Sequence, residues 1–410
     1  MSMIFTNGRL IFPDGIRDQL DLVVEKGKIA GIRPETGAHG NEVVDLAGNY
    51  LAPGFVDLHV HGAVGRDTME ATAEAFRAVC DYHAGGGTTS LLLTTASAPL
   101  DATPKGVASP DYFGVVDVLK AVRDCLSAVA SAEADRSSVR QIGGVHVEGP
   151  FIAKAKKGAQ REEFICEPTP EAVAMLLEHA DVIKRITLAP EISGAVDAVE
   201  KFSARGISVS GGHSDAWEED ARAAFDRGMR SVTHTFNCMS SARRRGAHRV
   251  AGLLEFALSE PEINCELIAD GHHVLPTLMK MLYRAKGARG ISLVTDATAG
   301  AGLLHGSHFS LYGKDCVVER GVCLLTDRSA LAGSASCMID LVRTMVRDVD
   351  VPLHEAIVMA TLNPANAVGF KTKGRMETGA DGDLVVLSRD LKVLKTFAAG
   401  TLIYEMTKLE

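Results

Sequence analysis

The chain has 410 residues, of which 46% are hydrophobic and 23% charged, a composition typical of globular proteins and sufficient for one large and one smaller domain. Its formal net charge of -9 argues against a nucleic acid or an anionic membrane as the main partner. The N-terminus lacks the basic and apolar segments of a signal peptide, and no apolar run approaches the roughly 18 residues of a membrane-spanning helix. Eight scattered cysteines without a CxxC pair indicate reduced thiols, which favours a cytoplasmic protein.

Both ends of the chain are predicted to form short strands. At the beginning, β-rich runs separated by turn residues occupy 3–12, 19–32 and 43–46. At the end, similar runs occupy 383–388, 391–398 and 401–405. We therefore predict that residues 1–52 and 375–410 together form a small β-sandwich domain, and that residues 53–374 form a separate, larger domain.

The middle of the chain alternates strand-like runs with helical patterns. The strands are predicted at 55–59, 90–94, 142–148, 184–189, 207–210, 231–234, 264–269 and 291–295. The helices are predicted at 71–84, 112–132, 170–179, 193–204, 216–226, 251–258 and 275–285. Eight strands separated by helices indicate a (β/α)8 TIM-type barrel. A doubly wound open sheet is the alternative, but no GxGxxG motif follows the first strand.

Beyond the eighth strand, residues 309–325 resemble a hairpin insertion, and two further helices are predicted at 336–348 and 353–360. These helices would lead the chain back to the terminal sheet domain.

Residues that bind metals follow several predicted barrel strands at their carboxyl ends. After the first strand, the alternation of an extended chain places His59 and His61 on one face, where two imidazoles can hold one ion. Other strand ends add two imidazoles and two carboxylates, namely Glu148, His213, His234 and Asp296. Because the carboxyl ends of all strands meet at one face of a barrel, we expect these side chains to converge there.

This set of imidazoles and carboxylates predicts a divalent metal, with Zn²⁺ favoured and Fe²⁺, Co²⁺ or Mn²⁺ as alternatives. A metal of this kind lowers the pKa of a coordinated water towards neutrality and so generates a nucleophile. Asp296 lies on a separate strand and is a candidate general base. The pattern predicts hydrolysis of a C–N or ester bond without naming the substrate.

The motif from His59 to His61, together with Asp296, resembles the amidohydrolase superfamily. Further motifs resemble the N-acetylglucosamine-6-phosphate deacetylase family within it, and the resemblance covers essentially the whole chain. These motifs lie at 144–151, 156–160, 212–214, 233–234, 237, 270–271, 273–274, 295–298 and 331–335. In this family Glu148 on the third strand takes the place of the carboxylated lysine that many relatives carry after the fourth strand.

The resemblance implies a role for each candidate site residue. Glu148, His213 and His234 would hold the principal metal ion. His59 and His61 would hold a second ion beside it, with Glu148 bridging, so that one or two ions are expected per chain. Asp296 would act as the general acid and base. His273, and not the preceding His272, would polarise the acetyl carbonyl.

The resemblance also implies how the substrate is held. Arg245 would meet the sugar phosphate, together with the backbone around Asn237 and Cys238, and Gln160 would contact a sugar hydroxyl. Some family members carry histidine at the position of Gln160. The loop at 237–245 adds two arginines and lacks the usual proline, which indicates a shifted phosphate site or an epimeric or differently decorated sugar; a solvated basic loop is the alternative.

We therefore expect metal-dependent deacetylation of an N-acetyl amino-sugar 6-phosphate, with N-acetylglucosamine-6-phosphate favoured and the galactosamine epimer second. Another amidohydrolase activity, on a cyclic amide or an N-acyl amino acid, stays open, as does a sugar-phosphate binding protein that has lost turnover. The expected partner is a small-molecule amino-sugar phosphate, with no nucleic acid and no membrane. Family precedent suggests a homodimer in which the adjacent subunit reaches the phosphate.

Overall fold

The computed structural model describes residues 2–35, 42–101, 113–130 and 138–407. Its centre is an eight-stranded sheet in which each strand pairs in parallel with the next along the chain. In chain order the strands are Phe55–Val60, Thr88–Thr94, Ile142–Glu148, Ile183–Leu188, Ser208–Gly211, Met229–Val232, Asn264–Leu267 and Ile291–Leu293. The segment after the eighth strand returns to the first, where the backbone N–H of Asp296 donates to the carbonyl of His59 at 2.9 Å. This nearly closed barrel confirms the predicted fold class.

Helices between the strands cover the outside of the barrel. They are Ala73–Gly85, Val115–Ala130, Pro170–Leu177, Ala195–Ala204, Glu218–Asp226, Leu253–Ser259 and Pro276–Lys286, followed after the barrel by Met338–Arg347, Leu353–Ala360 and Leu362–Ala367. Short 3-10 helices lie at Thr68–Glu70, Ser138–Gln141, Lys154–Lys156, Glu162–Phe164 and Ala288–Gly290. The predicted helix at 112–132 begins only at Val115, and positions 112, 131 and 132 lie outside the described residues.

The apolar faces of helices and strands meet in one large core. Phe76 and Val79 of the first helix pack there with Phe55 and Leu91 of the strands, and all four side chains are fully buried. Their spacing on the helix, three residues apart, is the pattern of an amphipathic helix that buries one face. No helix in the described part of the chain has the length and apolar character needed to cross a membrane.

The two ends of the chain form a pair of sheets with a common core. One sheet has the order Lys28–Pro34, Leu20–Glu25, Ser2–Thr6 and Glu42–Asp45. The other has the order Thr401–Glu405, Val393–Ala398, Leu384–Leu387, Tyr50–Pro53, Arg9–Phe12 and Gly15–Arg17. Phe5 and Phe397 meet edge to face, with ring centroids 5.0 Å apart, so strands from both termini share this core. The predicted boundaries, 1–52 with 375–410 and 53–374, stay a prediction.

Two insertions lie near the carboxyl ends of the barrel strands. A four-stranded antiparallel meander follows the eighth strand and consists of His308–Leu311, Lys314–Glu319, Val322–Leu325 and Leu331–Ser334. The predicted hairpin at 309–325 covers most of the first three strands of this meander, and Leu331–Ser334 forms a fourth strand beyond the predicted range. After the sixth strand, Arg243–Arg245 pairs with His248–Val250 in a two-stranded hairpin, which we call the basic hairpin.

Candidate active site

Two groups of side chains that could hold a metal ion meet at the carboxyl ends of the barrel strands. In the first group, the Nε2 atoms of His213 and His234 lie 3.1 Å apart, and each is 3.2 Å from Oε1 of Glu148. In the second group, the Nε2 atoms of His59 and His61 lie 3.1 Å apart, and each is 3.4 Å from Oδ1 of Asp296. The structure therefore brings together the six side chains that the sequence analysis selected.

Glu148 lies between the two groups. Besides its contacts with the first group, its Oε1 is 3.2 Å from Nε2 of His59, and its Oε2 is 3.3 Å from Nε2 of His61. A single carboxylate thus reaches ligand atoms of both groups, which is the arrangement needed for a bridging ligand.

The orientation of the imidazoles fits a metal centre. Nδ1 of His213 lies 2.7 Å from the carbonyl oxygen of Lys156, so this nitrogen carries the proton and Nε2 keeps a lone pair. Nδ1 of His59 faces Glu266 at 3.4 Å, and Nδ1 of His61 faces the hydroxyl of Tyr312 at 3.0 Å. Histidines that bind metals are oriented in this way by a partner on the second ring nitrogen.

The electrostatics of the site also favour a cation. Burial opposes a charge on His59, but Glu148 and Asp296 outweigh this effect and hold the pKa of the imidazole well above its usual value. Burial likewise opposes ionisation of Glu148, but the nearby imidazoles of His59 and His213 hold the pKa of its carboxyl well below the usual range. Two imidazolium rings with nitrogens only 3.1 Å apart would repel strongly, so neutral rings around a divalent cation satisfy this cluster better.

A cavity of about 250 Å³ opens over both groups. It is lined by His61, Glu148, Gly158, Ala159, Gln160, His213, His234, Asn237, Cys238, His273, Asp296, Thr298, Leu311, Tyr312, Ala330, Leu331 and Gly333. Four of the predicted substrate-binding residues are among them, namely Gln160, Asn237, Cys238 and His273. Of the described residues that line the cavity, none is lysine or arginine.

Asp270 holds His273 at the cavity. One carboxylate oxygen accepts the backbone N–H groups of His272 and His273, and the other lies 2.7 Å from Nδ1 of His273. Burial lowers the pKa of His273, but the bond to Asp270 outweighs it and leaves the pKa raised. The side chain is therefore positioned as a donor, and its neighbour His272 is exposed.

Gln160 is engaged within the chain. Its Nε2 donates to Oε2 of Glu148 at 2.6 Å, and its Oε1 accepts the backbone N–H of Ser97 at 2.6 Å. The structure thus gives Gln160 a contact with the central carboxylate that the sequence analysis did not foresee. Its predicted contact with a sugar hydroxyl stays a prediction.

Arg245 does not line the cavity of its own chain. It is exposed on the basic hairpin, pairs with Glu219 and stacks on Trp217, with 4.7 Å from its guanidinium carbon to the ring centroid. Arg243 lies on the same face, 4.0 Å from the Trp217 ring and 2.5 Å from a carboxylate oxygen of Asp215. Within one chain, the structure therefore does not bring Arg245 to the other site residues, and its role at a phosphate stays a prediction.

Comparison with known proteins identifies the family. The sequence model of the amidohydrolase family matches residues 50–403. The chain belongs to this family. The N-acetylglucosamine-6-phosphate deacetylase of Lysinibacillus sphaericus is 33% identical over 98% of this chain and 97% of the relative. The N-acetylgalactosamine-6-phosphate deacetylase of Escherichia coli O157:H7 is 30% identical over 98% of this chain and 99% of the relative.

A solved structure agrees with this assignment. The N-acetylglucosamine-6-phosphate deacetylase of Pasteurella multocida superimposes with a TM-score of 0.86 at 31% identity, and the match covers 98% of this chain and 99% of that chain. Membership in the amidohydrolase family implies a divalent metal. The imidazole and carboxylate atoms of the two groups are suitable ligands for such a metal.

Sequence reasoning missed several residues that support this amidohydrolase site. Glu266 and Arg185 lie inside predicted strands, where a charged residue interrupts an apolar run. A charged side chain in the middle of a buried strand needs a partner of opposite charge. The opposite charges of Arg185 and Glu266 therefore indicated that these two residues pair inside the barrel. Tyr312 lies in the insertion after the eighth strand, and no pattern in the sequence connects it with His61.

Proposed function

We propose that the protein is a metal-dependent hydrolase that removes acetate from an N-acetyl amino-sugar 6-phosphate, with N-acetylglucosamine-6-phosphate as the substrate. The observation that carries this proposal is a single cavity in which Asp296 and His273 lie beside Glu148, His213 and His234. A general acid and base, a donor for a carbonyl oxygen and a set of metal ligands are the groups that amide hydrolysis requires.

Zn²⁺ is the proposed metal, held by Glu148, His213 and His234, because this donor set suits a borderline divalent ion. A second ion would be held by His59, His61 and Asp296, with Glu148 shared between the two. When bound, the metal lowers the pKa of water and polarises a carbonyl group.

Asp296 moves the proton in the proposed reaction. Burial raises the pKa of its carboxyl, but His59 and His61 outweigh this effect and leave the pKa below its usual value, so the group is ionised at neutral pH. The carboxylate accepts a proton from the water that attacks the acetyl carbon, and returns it to the amine nitrogen as the C–N bond breaks. The products are acetate and the free amino sugar.

His273 stabilises the negative charge that develops on the carbonyl oxygen. Its Nδ1 is occupied by Asp270, which leaves Nε2 as the donor towards the cavity. Asn237 and Cys238 line the same cavity, and their backbone is proposed to meet the sugar phosphate together with Arg245.

The phosphate needs a positive partner from outside the lining of the cavity, since none of the described lining residues is lysine or arginine. We propose a homodimer in which the basic hairpin of one chain, with Arg245, meets the phosphate at the cavity of the other. An exposed hairpin that carries three consecutive arginines supports this arrangement.

Cytoplasmic localisation is proposed as well, supported by eight free cysteines.

N-acetylgalactosamine-6-phosphate is the second candidate substrate. The N-acetylgalactosamine-6-phosphate deacetylase of Escherichia coli O157:H7 is 30% identical over nearly the whole chain, close to the 33% identity of the glucosamine relative from Lysinibacillus sphaericus. The unusual loop at 237–245 also lies where sugar specificity is expected.

The proposal is tested by amide hydrolysis of a panel of compounds with zinc-loaded protein, measured as the free amine that every compound yields and, for the acetylated compounds, as acetate. The panel contains N-acetylglucosamine and N-acetylgalactosamine with and without 6-phosphate, an N-acetyl amino acid and a cyclic amide. We expect the highest kcat/KM with N-acetylglucosamine-6-phosphate and a marked loss when the phosphate is absent. A preference for the cyclic amide or the amino acid would point to another amidohydrolase activity, and sugar-phosphate binding without acetate release would point to a binding protein.

A further inference from the structure

A buried ion pair lies in the barrel interior and joins the fourth and seventh strands. Nη2 of Arg185 is 2.8 Å from Oε1 of Glu266, and both side chains are fully buried. The guanidinium also donates to the hydroxyls of Ser208, Ser210 and Ser231, at 3.1, 3.0 and 3.3 Å. Removing two charges from water is costly, and apolar residues of the same volume often stabilise a fold equally well. Stability alone is therefore a weak explanation for this pair.

The second oxygen of Glu266 faces the metal-binding histidines. Oε2 lies 3.4 Å from Nδ1 of His59 and accepts the backbone N–H of His234 at 3.3 Å. His59 and His234 belong to different ligand groups. Glu266 therefore contacts both groups through one oxygen, while Arg185 holds the other.

This geometry gives Glu266 a specific effect on His59. A carboxylate at Nδ1 fixes the ring orientation and keeps the proton on that nitrogen, which leaves the lone pair of Nε2 for an ion. Arg185 keeps the carboxylate in place, since its guanidinium lies 2.8 Å from Oε1 of Glu266 and both side chains are fully buried. The contact with His234 is to the backbone, so the imidazole of His234 does not depend on Glu266 in the same way.

We propose that Glu266, held by Arg185, is a positioning residue that orients His59 and thereby sets the affinity of the ion held by His59, His61 and Asp296. This inference rests on the metal centre of the proposed function. It adds that the binding affinity of the second ion, and not that of the first, depends on Glu266, which is not itself a ligand.

The test compares matched variants of the full-length, chelator-stripped protein. Arg185→Met with Glu266→Gln removes the buried charge but keeps an oxygen that can accept from His59. Arg185→Met with Glu266→Leu has a similar volume and no acceptor. Zn²⁺ affinity is measured by competition with a chromophoric chelator, and His59→Asn identifies the binding step that belongs to the second group.

We expect the leucine pair to bind the second ion about 10–100-fold more weakly than the glutamine pair, the range found when the partner of a ligand is removed. The glutamine pair and the leucine pair should bind the ion at Glu148, His213 and His234 with affinities that agree within about threefold, as expected for an effect that acts through His59 alone. Equal loss of both ions, or no difference between the pairs, would mean that Glu266 is only structural.

A single variant provides a second comparison if the methionine background does not fold. In the variant Glu266→Gln with Arg185 unchanged, Arg185 donates to the amide oxygen of the glutamine. The amide nitrogen then faces Nδ1 of His59 and cannot accept its proton. The second ion should then bind more weakly than in the wild type, and unchanged affinity would overturn the inference. A wild type that binds only one ion would also overturn it, whereas acetate release by the wild type separately tests the proposed function.

Discussion

Four residues whose side chains lie at the candidate active site have unusual backbone angles. His213, His234, Cys238 and Asp296 have positive φ values of 47°, 30°, 46° and 48°. A residue other than glycine in this region costs on the order of 1–3 kcal/mol. All four directly follow or lie near the ends of barrel strands, where the chain turns away from the sheet. The surrounding fold thus stabilises a strained conformation in order to direct these side chains at the cavity.

Asp296→Asn tests the proton transfer. Asparagine preserves the shape of the side chain but cannot accept the proton, so we expect kcat to fall about 100-fold or more. The ion held by Glu148, His213 and His234 should be retained, because none of these ligands is changed. Steady-state acetate release and metal analysis of the purified variant measure the two effects. Near-normal turnover would contradict the role of Asp296.

Asp270→Asn tests the state of His273. Because Nδ1 bonds to Asp270, Nε2 carries a proton only in the imidazolium form, which is lost as the pH rises through the raised pKa of His273. Without the carboxylate the pKa falls, so activity should be lost at a lower pH. The basic limb of the kcat/KM profile is the measurement, and an unshifted limb would show that His273 acts as a neutral ring.

At the level of elements, the basic hairpin separates its three arginines. Arg243 and Arg245 lie on one face against Trp217, as alternation along a strand requires. Arg244 points to the other face and lies opposite Arg249 in the register of the hairpin. Arg243 donates to the carboxylate and the backbone carbonyl of Asp215, two residues after the candidate ligand His213, so these bonds connect the hairpin to the segment that carries His213.

Arg245→Ala tests the contribution of the hairpin to substrate binding. A charge-assisted hydrogen bond contributes about 1.5–3 kcal/mol, so KM for the phosphorylated sugar should rise about 10–100-fold. The KM of the sugar without phosphate should not change. Arg222→Ala, which removes an exposed arginine paired with Glu260, is the matched control. Equal effects on both sugars would indicate that Arg245 supports the hairpin and does not meet the phosphate.

For the whole molecule, the candidate metal centre joins parts of the chain that are far apart in sequence. His234 and Glu148, which share a contact, are 86 residues apart. The six candidate ligand residues come from the ends of five different barrel strands, so an ion bound to them would link those strands. Metal binding should therefore stabilise the folded barrel against unfolding.

Removal of metal should lower the melting temperature. An ion at 100 times its Kd stabilises the native state by about 2.7 kcal/mol, so chelation should lower Tm by a few degrees and added Zn²⁺ should restore it. Differential scanning calorimetry provides the measurement. His234→Asn is the control, in which the shift should be much smaller. A wild type whose Tm does not respond to the chelator would argue against the ligand set.

The sequence by itself determined the barrel and the set of candidate ligands, since strand periodicity and the position of a residue at a strand end are local properties. His59, His61, Glu148, His213, His234 and Asp296 could be selected because all carboxyl ends of a parallel barrel meet at one face. Gln160, Asn237, Cys238 and His273 were placed at the cavity by motif resemblance alone.

Only the tertiary structure decided how these residues are supported. The partners of a side chain depend on the register of neighbouring strands and on rotamers set by packing, and neither is encoded within a short stretch of sequence. Arg185 and Glu266 meet across the barrel interior, Tyr312 reaches His61 from an insertion, and Arg245 lies against Trp217 outside the cavity. Each of these contacts joins segments whose relative position exists only once the barrel has closed.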